Sequence, residues 1–413
     1  MTNQNPMSIF RTVTTTPGAF APDRVTVARK LFIVGATVAW EKLTGPTPKT
    51  LGDVPHRTDA MTAGWLQQVL CAEHPNAKVL GVEFGGGSSG TTHRRALLVR
   101  YNDAGIRAGL PTALYNKSSD SLVSRLTVGL AGILPGEKGF YTLVEPELDV
   151  ETPHAYFADY DARTWRSSIL LDDVATTKGA RFCTPFDQIT RPQIEGMLDV
   201  LAGVHGRYWN SPRLDNDFRW LKTPNDHQDQ IAKFISMRGQ CAVGLDRSVE
   251  ILPPGLHRQR DRLWSAYVTA LDLATKGSPT FLHGDCHVAN YYQTDTGRMG
   301  LCDWQVSLKG LWAYDYCYTL TSALSIENRR AWERDLLGYY LDRLHAEGGP
   351  QLGFDDAWLA YRQQPLYGLH AWLWTVGRSR LQPKMHPPAN CLSLIERMSH
   401  AVADLESITA LGH

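Results

Sequence analysis

The run His283-Gly284-Asp285-Cys286-His287-Val288-Ala289-Asn290, followed at Asp303-Trp304 by a second acid, sets a carboxylate, an amide and another carboxylate in order along the chain. Those residue types suit phosphoryl transfer. A transferring phosphoryl group carries spread negative charge and reacts in line, so a protein must orient an acceptor hydroxyl and hold Mg²⁺ on the phosphate oxygens. Asp285 fits the first task, and Asn290 with Asp303 fits the second. Both are hard oxygen donors, and Mg²⁺ ordinarily takes one or two carboxylates together with waters and substrate phosphates.

Short elements must present these groups. Residues 280–282 predict an apolar strand entering the loop and residues 290–293 a return strand. Thr294-Asp295-Thr296-Gly297 supplies a turn before a further strand over 299–302. Both metal candidates then lie at strand ends facing one cleft.

Farther upstream, residues 79–84 read as a strand, and Gly85-Gly86-Gly87-Ser88-Ser89-Gly90 fits G-x-G-x-x-G through Gly85, Gly87 and Gly90. Another strand-like run, 95–101, follows. The stretch therefore predicts a hairpin loop over phosphates, with Ser88 and Ser89 as added donors, and not a strand-to-helix dinucleotide turn. A plain flexible hairpin is the alternative. Residues 110–115 form a third strand-like run ending at Asn116-Lys117-Ser118, where Lys117 is the candidate cation for the α- and β-phosphates.

The loop resembles the His-Gly-Asp-x-His-x-x-Asn signature of the aminoglycoside phosphotransferase and choline kinase superfamily, with its trailing Asp-Trp or Asp-Phe pair. The surrounding sequence is most similar to the ecdysteroid-kinase-like (CHK-like) branch from about Met61 onward. This resemblance implies an α+β, two-lobed protein-kinase-like fold with a small β-rich lobe and a larger, mainly helical one. It implies Asp285 as catalytic base, Asn290 and Asp303 as Mg²⁺ ligands, and ATP as donor. Glu137, in Gly136-Glu137-Lys138-Gly139-Phe140-Tyr141, resembles the branch's glutamate before an aromatic pair, which makes it the first-ranked partner for Lys117 ahead of Glu145. Leu170-Leu171-Asp172-Asp173-Val174 resembles the hinge that meets adenine, with Asp172 where the branch usually has Glu. Asp315 matches a residue that braces the catalytic loop. The implied organisation is an extension over 1–60, a nucleotide lobe over 61–174 and an acceptor lobe over 175–413.

Two other readings use the same residues. His283, Cys286, His287 and Cys302 offer zinc-type ligands, although no CxxC pair accompanies them; otherwise the histidines hold the loop backbone and the cysteines pack. A nucleotide-binding scaffold without transferase activity is the second.

From 191 onward the periodicity turns helical. Ile194, Met197, Leu198, Leu201, Ala202 and His205 share a face, Thr190 is a candidate cap, and Pro192 lies in the first turn. His205 on that face reads as a buried hydrogen-bonding residue. Further helices are expected over 263–273, 326–345, 354–371 and 392–405. With 413 residues the chain exceeds one ordinary core. Its 42 basic residues balance 42 acidic ones, which argues against a dominant nucleic-acid or anionic-membrane surface. Seven cysteines without framework spacing predict reduced thiols, consistent with a cytoplasmic enzyme. No targeting segment stands out. The run 31–40 is too short to span a bilayer and reads as a packed helix, with a turn at Gly45-Pro46-Thr47-Pro48. The acceptor is expected to be a small hydroxylated molecule. Trp332, Trp358, Tyr361, Tyr367, Trp372 and Trp374 are its candidate lining, with helix core as their alternative role.

Overall fold

The computed structural model describes residues 24–379 and 385–413. A five-stranded antiparallel sheet forms the amino-terminal part, from β1 (Val79–Ser89), β2 (His93–Tyr101), β3 (Ala113–Ser118), β4 (Ala155–Asp161) and β5 (Arg166–Asp172), in the order β1-β2-β3-β5-β4. One face is covered by the helix Ala63–Leu70, which Thr62 caps by accepting the Trp65 amide at 3.1 Å. Its Trp65 and Leu66 join Leu97, Val99, Leu114 and Leu170 in a compact small core. The helix Arg24–Thr44 packs against the helix Leu122–Ala131, and Glu41 is buried between Arg125 and Arg166.

Several local boundaries differ from the sequence expectation. The glycine-rich stretch is mostly strand: β1 runs through Ser89, with a register shift between Phe84 and Gly87, and the turn itself is at 90–92. The third strand begins at Ala113, because Pro111 has no N–H for the ladder, so Lys117 lies inside β3 and not beyond its end. β5 stops at Asp172, and Val174 opens the short helix Val174–Thr177. Asn290 closes a 3₁₀ turn before its strand.

The remainder is mainly helical around one large apolar core. Arg191–Arg207 starts at Thr190, whose amide donates to Gln193 Oε1 at 2.9 Å. Expected helix 354–371 is instead two, Phe354–Gln363 and Pro365–Val376, since Pro365 cannot continue the hydrogen-bond ladder. Three short strands, β6 (Arg181–Phe182), β8 (Tyr291–Gln293) and β9 (Met299–Leu301), form one small sheet. β7 (Pro279–Leu282) pairs with β10 (Leu308–Leu311) in another. None of the seven cysteines is in a disulfide. Among the described residues no helix is long and apolar enough to cross a membrane.

Candidate active site

β7 delivers the chain into the loop 283–290, and Asp315 fixes it. Near the start of the buried helix Ala313–Ala323, its Oδ2 accepts the His283 amide at 2.6 Å and its Oδ1 the Gly284 amide at 3.0 Å. His205 supports Asp315 from the neighbouring helix at 3.4 Å and meets the Tyr340 hydroxyl at 2.7 Å. Gly284 has φ +79°, and a Cβ there would lie 2.3 Å from the Val306 carbonyl, so the turn requires glycine. The His283 ring closes the loop: Nε2–H donates to the Cys302 carbonyl at 3.0 Å, and Nδ1 accepts the Asp285 amide at 3.1 Å. With both nitrogens committed, and the Cys286 thiol donating to the Asp315 carbonyl at 3.2 Å, the zinc reading loses His283 and Cys286 of its four ligands. No group of three or more His, Cys, Asp or Glu among the described residues could hold a metal.

The Asp285 side chain keeps 30% of its surface exposed. Tyr318 donates to its Oδ1 at 3.3 Å, and His287 Nε2 is 4.0 Å from Oδ2. Removal from water, with the Asp303 charge second, pushes its carboxyl well above the ordinary range. Burial holds the His287 imidazole neutral, down at about 3. Asn290 donates from Nδ2 to the Asp285 carbonyl at 2.7 Å, which leaves its amide oxygen as the donor atom for a cation.

Asp303 follows β9 in a left-handed conformation, φ 68° and ψ 55°, which is strained for a residue with a Cβ. Close packing maintains it. Trp304 stacks on Phe140 with ring centroids 3.8 Å apart, and Gly136 abuts the Gln305 carbonyl so closely that a Cβ would sit 2.2 Å away. The same contact brings the helix Leu134–Gly139, and with it Glu137, to the cleft. Lys117 lies between the two acids, with Nζ 2.6 Å from Asp303 Oδ1 and 2.9 Å from Glu137 Oε1. Burial alone would lower this amine, but Asp303 and Glu137 outweigh it and keep it charged. Burial would likewise raise Asp303; Lys117 and then Arg94 prevail and hold the carboxylate ionised. Glu145 is elsewhere, 3.0 Å from the His154 ring.

A cavity of about 410 Å³ joins the groups around Lys117, with Asp285 outside its lining. Ser88, Lys117 and Glu137 line it with Asn290 and Asp303, and Leu171, Asp172, Asp173 and Val174 form another wall. The Asp172 amide is spent on the His154 carbonyl at 2.8 Å and the Asp173 amide on the Ala113 carbonyl at 3.2 Å. Gly85 and Gly87 instead face β2, and a Cβ on Gly87 would meet the Arg94 carbonyl at 2.5 Å. Gly90 forms the turn, its amide donating to the Thr92 carbonyl at 3.0 Å; the Ser89 side chain lies outside the described residues. Asn290 and Asp303 fit Mg²⁺, since both present hard oxygen to the same cavity.

Of the aromatic candidates, Tyr367 and Trp372 reach the loop. Tyr367 donates to the Gly284 carbonyl at 2.8 Å, and Trp372 stands edge-on to His287 at 5.2 Å. Trp332, Trp358, Tyr361 and Trp374 belong to or pack on the core. Sequence reading missed Tyr318 and Arg94. Tyr318 follows Asp315 by one helical turn, and Arg94 is the direct cross-strand neighbour of Lys117; neither pairing is visible before register is known.

A profile of the phosphotransferase enzyme family (APH) matches residues 129–353, more than half of the chain. The match spans Glu137, Asp285, Asn290, Asp303 and Asp315. No curated protein sequence matches. Among solved structures, choline kinase LicA from Streptococcus pneumoniae aligns at 15% identity, covering 83% of this chain and 98% of its own, with a TM-score of 0.44. An ethanolamine kinase from Plasmodium vivax aligns at 10% identity over 78% of this chain and 81% of its own, TM-score 0.42. Aminoglycoside phosphotransferase APH(3'')-Id from Streptomyces rimosus aligns at 15% over 75% and 97%, TM-score 0.40.

Proposed function

This chain belongs to the phosphotransferase enzyme family, and from that premise we propose that it transfers the γ-phosphoryl group of ATP to a hydroxyl of a small acceptor. The observation that carries the reading is Lys117, bridging Asp303 and Glu137 in the cavity that Asn290 also lines. Asp285 orients the acceptor hydroxyl and takes its proton as the acceptor O–P bond forms and the bond from the γ-phosphorus to the β,γ-bridging oxygen breaks, releasing ADP. Its raised carboxyl makes it a stronger base than an ordinary aspartate. Lys117 fixes the α- and β-phosphates, and Glu137 fixes Lys117. Ser88 and the hairpin around Gly85, Gly87 and Gly90 cover the phosphates. Asp172 and Val174 flank the adenine, where Val174 offers an amide from the unpaired first turn of its helix. Asn290 and Asp303 would hold Mg²⁺, which when bound neutralises charge on the phosphate oxygens.

The proposed boundaries are an extension over 1–60, a nucleotide lobe over 61–174 and an acceptor lobe over 175–413. The test is ADP release from Mg·ATP across hydroxylated amines, sugars, sterols and antibiotics, with Asp285→Asn as background. Acceptor-dependent release by the unaltered protein, lost in Asp285→Asn and in Asp303→Ala, is expected. Mg·ATP binding without transfer to any acceptor would instead indicate a nucleotide-binding scaffold, and unchanged turnover in Asp303→Ala would defeat the metal assignment.

A further inference from the structure

Ser88, Arg94 and Lys117 face one another across β1, β2 and β3, since the registers pair Ser88 with Arg94 and Arg94 with Lys117. Directly opposed residues in an antiparallel sheet project from the same face, and all three line the cavity. Two cations side by side on a sheet repel each other unless an anion bridges them. Asp303 is that anion. Its Oδ1 lies 2.6 Å from Lys117 Nζ and its Oδ2 2.9 Å from Arg94 Nη2, so both carboxylate oxygens are engaged.

The two cations differ in what they retain if Asp303 is withdrawn. Lys117 keeps Glu137 at 2.9 Å. Among the described residues Asp303 is the one carboxylate that Arg94 pairs with. The Arg94 side chain is also 36% exposed, against 6% for Lys117, so it has room to swing. Each carboxylate oxygen keeps a second lone pair, but two cations against Asp303 repel a divalent metal brought to the same carboxylate; displacing one relieves that repulsion, and Arg94 is the freer one. An incoming polyphosphate supplies the oxygens to which a planar guanidinium fork binds well.

Resting on the kinase reading, we propose that Arg94 is a phosphate-binding residue that caps Asp303 while the cleft is empty and exchanges that carboxylate for nucleotide phosphate, freeing Asp303 for the metal. Gly87 belongs to the same device, because only a residue without a Cβ lets β1 approach the Arg94 carbonyl this closely.

The test is calorimetric titration of ATP and of adenosine in EDTA, for the unaltered protein, Arg94→Ala and Arg94→Gln, beside a Mg·ATP titration of the unaltered protein. Loss of one charge-assisted hydrogen bond corresponds to about tenfold or more in affinity. Metal-free ATP binding is expected to weaken by that factor in either folded variant, with adenosine binding unchanged. A smaller loss, or a parallel loss for adenosine, overturns the proposal. So does absence of metal-free ATP binding by the unaltered protein, and Mg·ATP binding then leaves the kinase reading standing. Failure to bind Mg·ATP removes both.

Discussion

The carboxylate of Asp315 accepts the His283 backbone amide at 2.6 Å while its second oxygen accepts the Gly284 amide, so one fully buried acid satisfies two adjacent donors at the mouth of the Asp285 loop. An amide in its place keeps the shape but turns one acceptor into a donor facing a donor. Asp315→Asn is therefore expected to cost about 1–3 kcal/mol of stability, the penalty of a buried unsatisfied group, and to lower kcat through a displaced Asp285. Urea unfolding measures the first and ADP release the second. Stability equal to that of the unaltered chain would show that the loop does not depend on this carboxylate.

Gly136 carries a second geometric demand. A methyl group there would sit 2.2 Å from the Gln305 carbonyl, pressing the Glu137 helix away from the turn that begins at Asp303. Gly136→Ala should destabilise by about 1–3 kcal/mol, as overpacking does, and raise KM for ATP by separating Lys117 from one of its two acids. Gly86→Ala is the control, since a Cβ there meets nothing within 4 Å. Equal unfolding midpoints for the two variants would refute the packing argument.

How much of this was legible beforehand depended on the range of each interaction. The loop 283–290 and Asp303 were readable because their chemistry is contained in contiguous residue types. Helix Arg191–Arg207 was readable because Thr190 and Gln193 interact within one turn. Arg94 was not, because its meaning comes from lying opposite Lys117 in a paired strand and 209 positions from Asp303. The break at Pro365 was visible as a residue type yet lost under a continuous apolar period across it. Composition alone makes the glycine stretch a loop, whereas β2 pairing draws it into a strand with a bulge.

The raised Asp285 carboxyl sets the acid side of the pH profile. A base must be ionised to accept a proton, so transfer should rise with pH through a value well above the ordinary carboxylate range of about 4. Burial is the leading cause and the Asp303 charge the next. Screening that charge should therefore move the acid limb to lower pH. The measurement is kcat/KM against pH at limiting and saturating Mg²⁺. A limb near pH 4, unmoved by Mg²⁺, would mean that Asp285 is not the titrating group.

Stability should carry its own pH dependence, and His370 shows the sign. Its ring stacks on Tyr267 with centroids 4.2 Å apart, its Nδ1 meets the Leu366 carbonyl at 2.8 Å, and burial lowers its pKa from 6.5 to about 4. Above pH 6.5 neither state holds the proton. Below it the unfolded chain binds a proton that the folded chain refuses, so stability falls as pH drops from about 6.5 to about 4 and this contribution then levels off. One such group changes the unfolding free energy by about 1.4 kcal/mol per pH unit within that window. His227, lowered by burial and then Lys222 to about 3, acts in the same direction. Urea unfolding of the unaltered protein and His370→Gln at pH 7, 6 and 5 isolates the term. The variant's stability should depend on pH less steeply by about one proton; identical slopes would show that His370 takes up its proton in the folded state as readily as in the unfolded one.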